Sequence, residues 1–187
     1  MPPISDDDLQ RVIVGEVRPH SAPIELADYD PQWPARYAGE EQRVRAVLGP
    51  VVRRLEHVGS TSVPGLAAKP IIDMLLLVPD SADEAAYVPA MEAAGYPLRV
   101  REPDWFEHRL FKGPDTNINL HVFTDGCPEA DRMLRFRDWL RANDDDRDHY
   151  AATKRALATR TWRHVQDYAE AKTEVVAAIM ARAQPND

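Results

Sequence analysis

The sequence has little of what disulfide-stabilised, membrane-spanning or polyanion-coating proteins need. Only one of the 187 residues is a cysteine, Cys127, which excludes an internal disulfide and fits a reducing cytoplasm. No apolar run approaches the roughly 20 residues of a membrane span, and residues 1–8 lack the pattern of a secretory signal. The formal net charge of −8 argues against general nucleic-acid binding, which depends on Lys and Arg. We therefore expect a cytoplasmic protein whose partner is a small ligand and not a membrane.

Length and hydrophobic patterning predict one compact α/β unit followed by helices. We expect a polar N-terminal arm over residues 1–23, a core over residues 24–127 and a C-terminal helical extension over residues 128–187 that packs on the core. The expected core is a mixed sheet with flanking helices, an α/β (α+β) fold. The oligomeric state is not predicted.

Hydrophobic periodicity and turn signals place the individual elements. A capping box, Ser81 with Glu84, predicts a helix that ends near Gly95 and is distorted by Pro89. The other predicted elements are a helix over residues 31–48, strands over 52–58 and 71–78, a hairpin of strands 105–112 and 117–124, helices over 128–142 and 144–159, and a last helix marked by Trp162 to Ile179.

The segment from His57 to Asp73 is the most informative part of the sequence. It runs from a small-residue turn into the apolar strand I-I-D-M-L-L-L-V, where an ionised carboxylate is costly unless it is paired, metal-bound or at a cleft. The Gly59-Ser60 turn offers backbone N–H groups and hydroxyls to phosphate, and Asp73 is close enough to hold a cation on that phosphate. Alternatively, the hydroxyls cap backbone groups and Asp73 pairs with Lys or Arg.

The motif H-V-G-S-T-S-V-P-G-L-A-A-K-P-I-I-D resembles the signature of the GrpB family, also called UPF0157. The resemblance extends to W-F-E-H-R-L-F from Trp105, N-L-H-V-F from Asn119 and the later Tyr/Lys helices, and covers about residues 24–179. The family belongs to the nucleotidyltransferase superfamily, so the resemblance implies a minimal nucleotidyltransferase-like fold. It also implies that Gly59 and Ser60, with Thr61 and Ser62 beside them, form the phosphate-binding turn, and that Asp73 is the first metal carboxylate.

The position of the superfamily's second carboxylate is occupied by Leu75, a departure that GrpB members share. On the strand over residues 117–124, Asn119, His121 and Phe123 lie on one face, and His121 is the obvious substitute. We expect Asp73 and His121 to share one cleft as catalytic and metal-binding residues, with His57 as a further ligand. A divalent metal is implied, magnesium, manganese or zinc, and the imidazoles favour the transition metals. The alternative is that His121 is a structural residue.

Further cations and aromatic residues are candidates for phosphate or nucleotide binding. Lys69 lies just before the buried strand, and Arg109 offers a bidentate clamp, although His108 could serve instead or Arg109 could pair with Glu107. Tyr and Lys recur four residues apart on one helical face. The predicted nucleotide-binding residues of these helices are Tyr150, Lys154 and Lys172; the alternative is a half-buried Tyr with a snorkelling Lys.

These residues favour a nucleotide-binding enzyme that transfers a nucleotidyl or phosphoryl group to a small acceptor. The alternative is a non-catalytic nucleotide- or coenzyme A-related binding or regulatory module, which Leu75 favours because one carboxylate holds two hard cations poorly. Some actinobacterial relatives carry the domain fused to dephospho-coenzyme A kinase, and the resemblance therefore points towards coenzyme A or nucleotide metabolism.

Overall fold

The computed structural model describes residues 10–15, 24–162 and 165–183, and its centre is a five-stranded mixed sheet. The strand order is β1-β2-β5-β4-β3, in which β2 and β5 are parallel and the other neighbours antiparallel. The predicted mixed sheet with flanking helices is confirmed. The elements are α1 (Trp33–Leu48), β1 (Arg54–Val58), β2 (Ile72–Val78), α2 (Val88–Ala93), β3 (Leu98–Glu102), β4 (His108–Lys112), β5 (Ile118–Thr124), α3 (Pro128–Ala142), α4 (Asp144–Ala158), α5 (Val165–Glu170) and α6 (Thr173–Arg182).

Both faces of the sheet are covered at its centre, which explains the continuous apolar sequence of β2. Met74 and Leu76 point to the face that α1 and α2 cover, where they pack with Val44 of α1. Leu75 and Leu77 point to the opposite face and pack beneath α3. Asp73, two residues before Leu75 in β2, lies on this second face as well, because side chains two residues apart in a strand point the same way.

The edge strand β3 was not predicted, and β4 begins later than predicted. The sequence of β3, L-R-V-R-E, carries arginines at its exposed positions and so lacks the apolar run of a central strand. The strand predicted from Trp105 begins at His108, because Phe106 and Glu107 adopt positive φ angles of 54° and 50° in a turn. Trp105 and Glu107 therefore lie outside the strand that carries Arg109.

The helix predicted from a capping box at Ser81 is also different in the structure. The Ser81 hydroxyl lies 3.0 Å from the Thr124 hydroxyl and caps no helix. A 3-10 turn over Glu84–Ala86 comes first, and α2 starts at Val88 with Pro89 in its first turn, where the missing N–H is harmless. Pro89 thus delays the start of the helix.

The last predicted helix is divided into α5 and α6 at Ala171 and Lys172. The backbone N–H of Ala171 still bonds to Asp167 O, but that of Lys172 bonds to Ala169 O in a tighter turn. This break redirects the chain at Lys172. No helix of the described residues is long and apolar enough to cross a membrane. Most of the predicted arm over residues 1–23 lies outside the described residues; within it, Ile13 pairs with Val100 of β3.

Candidate functional site

The Gly59-Ser60 turn and Asp73 meet at the same end of β1 and β2. Val58, the last residue of β1, pairs with Asp73 across the antiparallel ladder. Gly59 has a φ of 67°, and a Cβ atom there would lie 2.8 Å from the Asp73 Cβ and closer still to Oδ2. Only glycine combines this backbone conformation with so close an approach. The Ser62 hydroxyl donates to Gly59 O at 2.6 Å and closes the turn.

Asp73, Asn119 and His121 face one another across the parallel pair β2 and β5. Asn119 Nδ2 donates to Asp73 Oδ1 at 2.8 Å, and His121 Nε2 lies 3.9 Å from the same oxygen. Burial acts to raise the pKa of Asp73, but the interactions with His121 and Asn119 and the charge of Lys69 outweigh it and hold that pKa below its usual range. The carboxylate is thus ionised and 28% exposed.

A chain of two histidines leads from Asp73 to the edge strand. His108 Nδ1 lies 2.6 Å from Glu102 Oε2, and His108 Nε2 lies 3.0 Å from His121 Nδ1. Burial lowers the pKa of His108, so we assign a neutral ring that donates to Glu102 and accepts from His121. His121 then donates from Nδ1, and its Nε2 is the nitrogen that faces Asp73; it is the protonated form of this ring that lowers the pKa of Asp73.

Four lysines surround Asp73, and we call them the lysine cluster: Lys69, Lys112, Lys154 and Lys172. The charge of Asp73 acts on each of them, and Lys112 Nζ donates to Asn119 Oδ1. They come from four parts of the fold, namely the loop before β2, the end of β4, α4 and the break between α5 and α6. Tertiary structure alone brings them together.

The lysine cluster contains every lysine in the sequence. Of the 23 basic residues, four are lysines and nineteen are arginines. Most of the arginines in the described residues form ion pairs, whereas in the same residues no lysine lies within 4 Å of a carboxylate oxygen. The cluster is therefore an excess of positive charge around one carboxylate, in a protein that is acidic overall.

Burial strongly affects the two lysines from the C-terminal helices. Lys154 is 2% exposed and donates to Ser60 Oγ at 2.9 Å and to Ala67 O at 2.5 Å. Burial, with the charges of Lys172 and Arg155 adding to it, lowers the pKa of Lys154 to about 7. Burial and the charge of Lys69 lower the pKa of Lys172 to about 8. The charge of Asp73 acts in the opposite direction on both pKa values, but it does not outweigh the burial of the two ammonium groups.

The two Tyr/Lys pairs, Tyr150 with Lys154 and Tyr168 with Lys172, have the same geometry. Lys154 Nζ lies 4.7 Å from the centre of the Tyr150 ring, and Lys172 Nζ lies 4.7 Å from that of Tyr168. Both tyrosines are buried, at 5% and 1% exposure, and the face of each ring makes a cation–π contact with its lysine. The Tyr168 hydroxyl has no hydrogen-bond partner within the described part of the chain, which leaves a buried donor unsatisfied.

Some predicted site residues lie elsewhere. His57 pairs with Met74 and so points to the opposite face from Asp73; its Nε2 lies 3.0 Å from Thr61 Oγ1, and burial lowers its pKa to about 4. It lines a separate cavity of about 520 Å³. Arg109 also points to the opposite face, where its Nε donates to Glu84 at 2.6 Å. The structure therefore brings neither His57 nor Arg109 to the lysine cluster.

The residues around Asp73 do not fit a two-metal site. Leu75 is completely buried beneath α3, so no carboxylate occupies the second position. No group of three His, Cys, Asp or Glu side chains in residues 10–15, 24–162 and 165–183 is arranged to hold a metal ion. The four lysines whose pKa values respond to the charge of Asp73 carry ammonium groups, which repel a cation. Asp73 and His121 alone supply too few donors for either magnesium or zinc.

Sequence reasoning missed Glu102, Lys112 and the role of Asn119. Glu102 belongs to the unpredicted strand β3. Lys112 lies opposite Asn119 in the register of β4 and β5, which the sequence does not fix. One signal was present in the sequence: lysine is scarce and arginine abundant, so each lysine occupies a position where the smaller, strongly hydrated cation matters.

The sheet and the lysine cluster define an α/β protein with a basic site at the end of its central strands. The family profile described as GrpB protein matches residues 23–182, and the chain belongs to the GrpB family, as its motifs predicted.

Relatives cover most of the chain. A UPF0157 protein of Halalkalibacterium halodurans is 64% identical over 97% of this chain and 93% of its own length. A dephospho-CoA kinase of Mycolicibacterium paratuberculosis is 32% identical over 81% of this chain but 44% of its own length. The crystal structure of conserved protein GrpB from Enterococcus faecalis matches with a TM-score of 0.73 and 28% identity, over 85% of this chain and 96% of that one.

Proposed function

We propose that this protein binds a nucleotide or a related phosphate-containing small molecule at the lysine cluster. The observation that carries the proposal is the convergence of all four lysines of the chain on Asp73, without a carboxylate pair for any of them among the described residues. A cluster of ammonium groups needs anions to balance it, and phosphate offers several charged oxygens to several donors at once.

The neighbouring groups support a phosphate ligand. The Gly59-Ser60 turn borders Asp73, and the Ser60 hydroxyl already accepts from Lys154. The proposed setting is the cytoplasm, where nucleotides and coenzyme A precursors occur and where a chain with one cysteine is expected.

The similarity to dephospho-CoA kinases suggests which phosphate compounds to test first. Because this chain corresponds to less than half of the Mycolicibacterium protein, the kinase reaction of that protein is not carried over. Its nucleotide and coenzyme A chemistry nevertheless narrows the ligand class, and dephospho-coenzyme A, coenzyme A and nucleoside triphosphates are the first candidates.

Thermal unfolding in the presence of these compounds tests the proposal, since a ligand that binds only the folded state raises the melting temperature. We expect at least one of them to stabilise the protein, and the Lys172→Gln variant to lose most of that stabilisation. Arg36→Gln, which removes an exposed charge at the start of α1, is the matched control and should behave as the native chain. If none of the phosphate compounds stabilises the protein, the proposal is wrong.

A second candidate function is transfer of a nucleotidyl or phosphoryl group to a small acceptor, as the resemblance to nucleotidyltransferases implies. The observation that favours it is the chain Glu102–His108–His121, which presents His121 Nε2 beside the lysine cluster. In its neutral form this nitrogen could accept the proton of an acceptor hydroxyl as that oxygen attacks phosphorus, while the bond from phosphorus to the bridging oxygen breaks and the rest of the ligand leaves as a phosphate or pyrophosphate anion. Phosphorus NMR of a ligand found by thermal unfolding, with His121→Ala as the control, tests for turnover; binding without turnover supports the non-catalytic alternative.

A further inference from the structure

We propose that the lysine cluster binds its phosphate ligand without a divalent cation, so that ammonium groups neutralise the phosphate charges that metal ions neutralise in two-metal sites. This inference rests on the proposed function and specifies the form in which the ligand is recognised: the free polyphosphate anion and not its magnesium complex.

Asp73 has few free donor atoms around it for a divalent cation. Oδ1 already accepts from Asn119, Oδ2 lies against the Gly59 backbone, and the second carboxylate position is Leu75. Leu75 packs in the core beneath α3 and offers no oxygen to a metal ion. A metal ion would thus have a single protein carboxylate as its ligand. One oxygen of that carboxylate already accepts a hydrogen bond from Asn119.

The charges around Asp73 also oppose the binding of a cation. A divalent cation placed beside Asp73 would lie among Lys69, Lys112 and Lys172, each close enough to Asp73 for that carboxylate to act on its pKa. Repulsion from several ammonium groups opposes binding of a cation, whereas each of them attracts a phosphate oxygen. The lysine cluster therefore attracts a phosphate ligand and repels a metal ion.

Asp73 has a structural role when no ligand is bound. It is the carboxylate towards which the lysine cluster converges, and it accepts from Asn119, whose other amide atom accepts from Lys112. Asp73 therefore acts as the counter-charge that keeps the lysines together. A phosphate ligand takes over this role, so the Asp73 carboxylate becomes a repulsive neighbour once the ligand is bound.

Isothermal titration calorimetry of the full chain with ATP and with inorganic tripolyphosphate tests the inference, first in EDTA and then in excess magnesium chloride. We expect binding in EDTA, and affinity at least about fivefold weaker in magnesium, because magnesium masks the charges that the lysines recognise. Lys172→Gln should weaken binding in EDTA by about tenfold, because it removes a charged donor. Arg36→Gln is the control and should bind as the native chain.

The Asp73→Asn variant gives the sharpest contrast, since a metal-dependent site would lose its ligand. Here we expect affinity in EDTA that is unchanged or higher, with the fold verified by circular dichroism. Binding that requires magnesium, or that Asp73→Asn abolishes, overturns the inference and leaves the proposed function standing. Absence of binding by both compounds in both buffers overturns the proposed function itself. If Asp73→Asn does not fold, the comparison of EDTA with magnesium in the native chain decides.

Discussion

The carboxylate of Asp73 occupies the space that a side chain at Gly59 would need. A Cβ atom at Gly59 would lie 2.8 Å from the Asp73 Cβ, and the backbone φ of 67° is one that side chains rarely adopt. The turn and the carboxylate are therefore positioned by each other, which explains why glycine precedes Ser60.

Gly59→Ala should destabilise the protein by about 2–3 kcal/mol, through backbone strain and displacement of Asp73. Gly39→Ala is the matched control: it lies inside α1 with nothing within 4 Å of the added methyl group. That change should stabilise by up to about 1 kcal/mol, because alanine favours helices. Urea unfolding measures both, and a Gly59→Ala protein as stable as the native chain would contradict the close approach.

Lys154 should make the stability of the protein depend on pH above neutrality. Its pKa is about 7 in the folded state and lies near 10.5 in the unfolded chain, so only the unfolded chain holds the proton between these values. The free energy of unfolding therefore rises with pH in that window, by about 1.4 kcal/mol per unit from this group. Below pH 7 the charged lysine destabilises the folded state fully.

Lys154→Met should abolish this contribution, and urea unfolding across the window measures it. The stability of the variant relative to the native chain should be highest near neutral pH and fall towards about pH 10. Arg36→Met, at an exposed site, should show no such trend. A constant difference between Lys154→Met and the native chain would show that Lys154 keeps an ordinary pKa.

The sequence identified candidate site residues where a charged or polar side chain interrupts an otherwise apolar pattern. Asp73 was singled out because a carboxylate in an apolar strand needs a reason. His121 was proposed as a substitute for the second carboxylate that the family resemblance implies, and the two-residue period of a strand placed it on one face with Asn119. The helices α3 and α4 were predicted nearly to the residue for the same kind of reason, a clear 3.6-residue period.

The parts that were missed depend on contacts between distant segments. Lys112 joins the lysine cluster through the register of β4 and β5, and Glu102 reaches His108 across the edge of the sheet. Lys172 was predicted within a continuous helix, yet the break between α5 and α6 sets its direction. Local patterns carry no information on register or on where a helix is interrupted by tertiary packing.

Glu84 should stabilise the protein at neutral pH and lose this effect in acid. Hydrogen bonds from Arg101 and Arg109, each 2.6 Å long, lower its pKa to about 2. Because the folded-state pKa is lower than the unfolded value of 4.5, the stabilisation is complete above about pH 4.5 and disappears as the pH falls towards 2.

Glu84→Gln should therefore lower the free energy of unfolding by about 2 kcal/mol at neutral pH, partly because it leaves the buried Arg109 without one partner. The difference should shrink in acid as the native Glu84 becomes protonated. Asp115→Asn, which breaks a pair between exposed side chains, should cost well under about 1 kcal/mol. Equal effects of the two substitutions in chemical unfolding would contradict this account.

Ligand binding should take up protons near pH 8 if the proposed function is correct. A polyanion beside Lys154 and Lys172 raises their pKa values from about 7 and about 8, so both groups gain charge. Calorimetry in buffers of different ionisation enthalpy measures the uptake, which should vanish at about pH 6, where both lysines are already protonated. Lys172→Gln should reduce it, and release of protons near pH 8 would contradict the assignment.

Because lysine occurs only around Asp73, every side-chain amine of the protein belongs to one site. Acylating reagents, which attack unprotonated primary amines, would mark that site and the amino terminus and leave the arginine-covered surface untouched. Lys154, with a pKa of about 7, has a larger unprotonated fraction at neutral pH than Lys172, although its burial limits the access of a reagent. The mass of the modified protein alone would then report how many of the four amines a bound molecule shields.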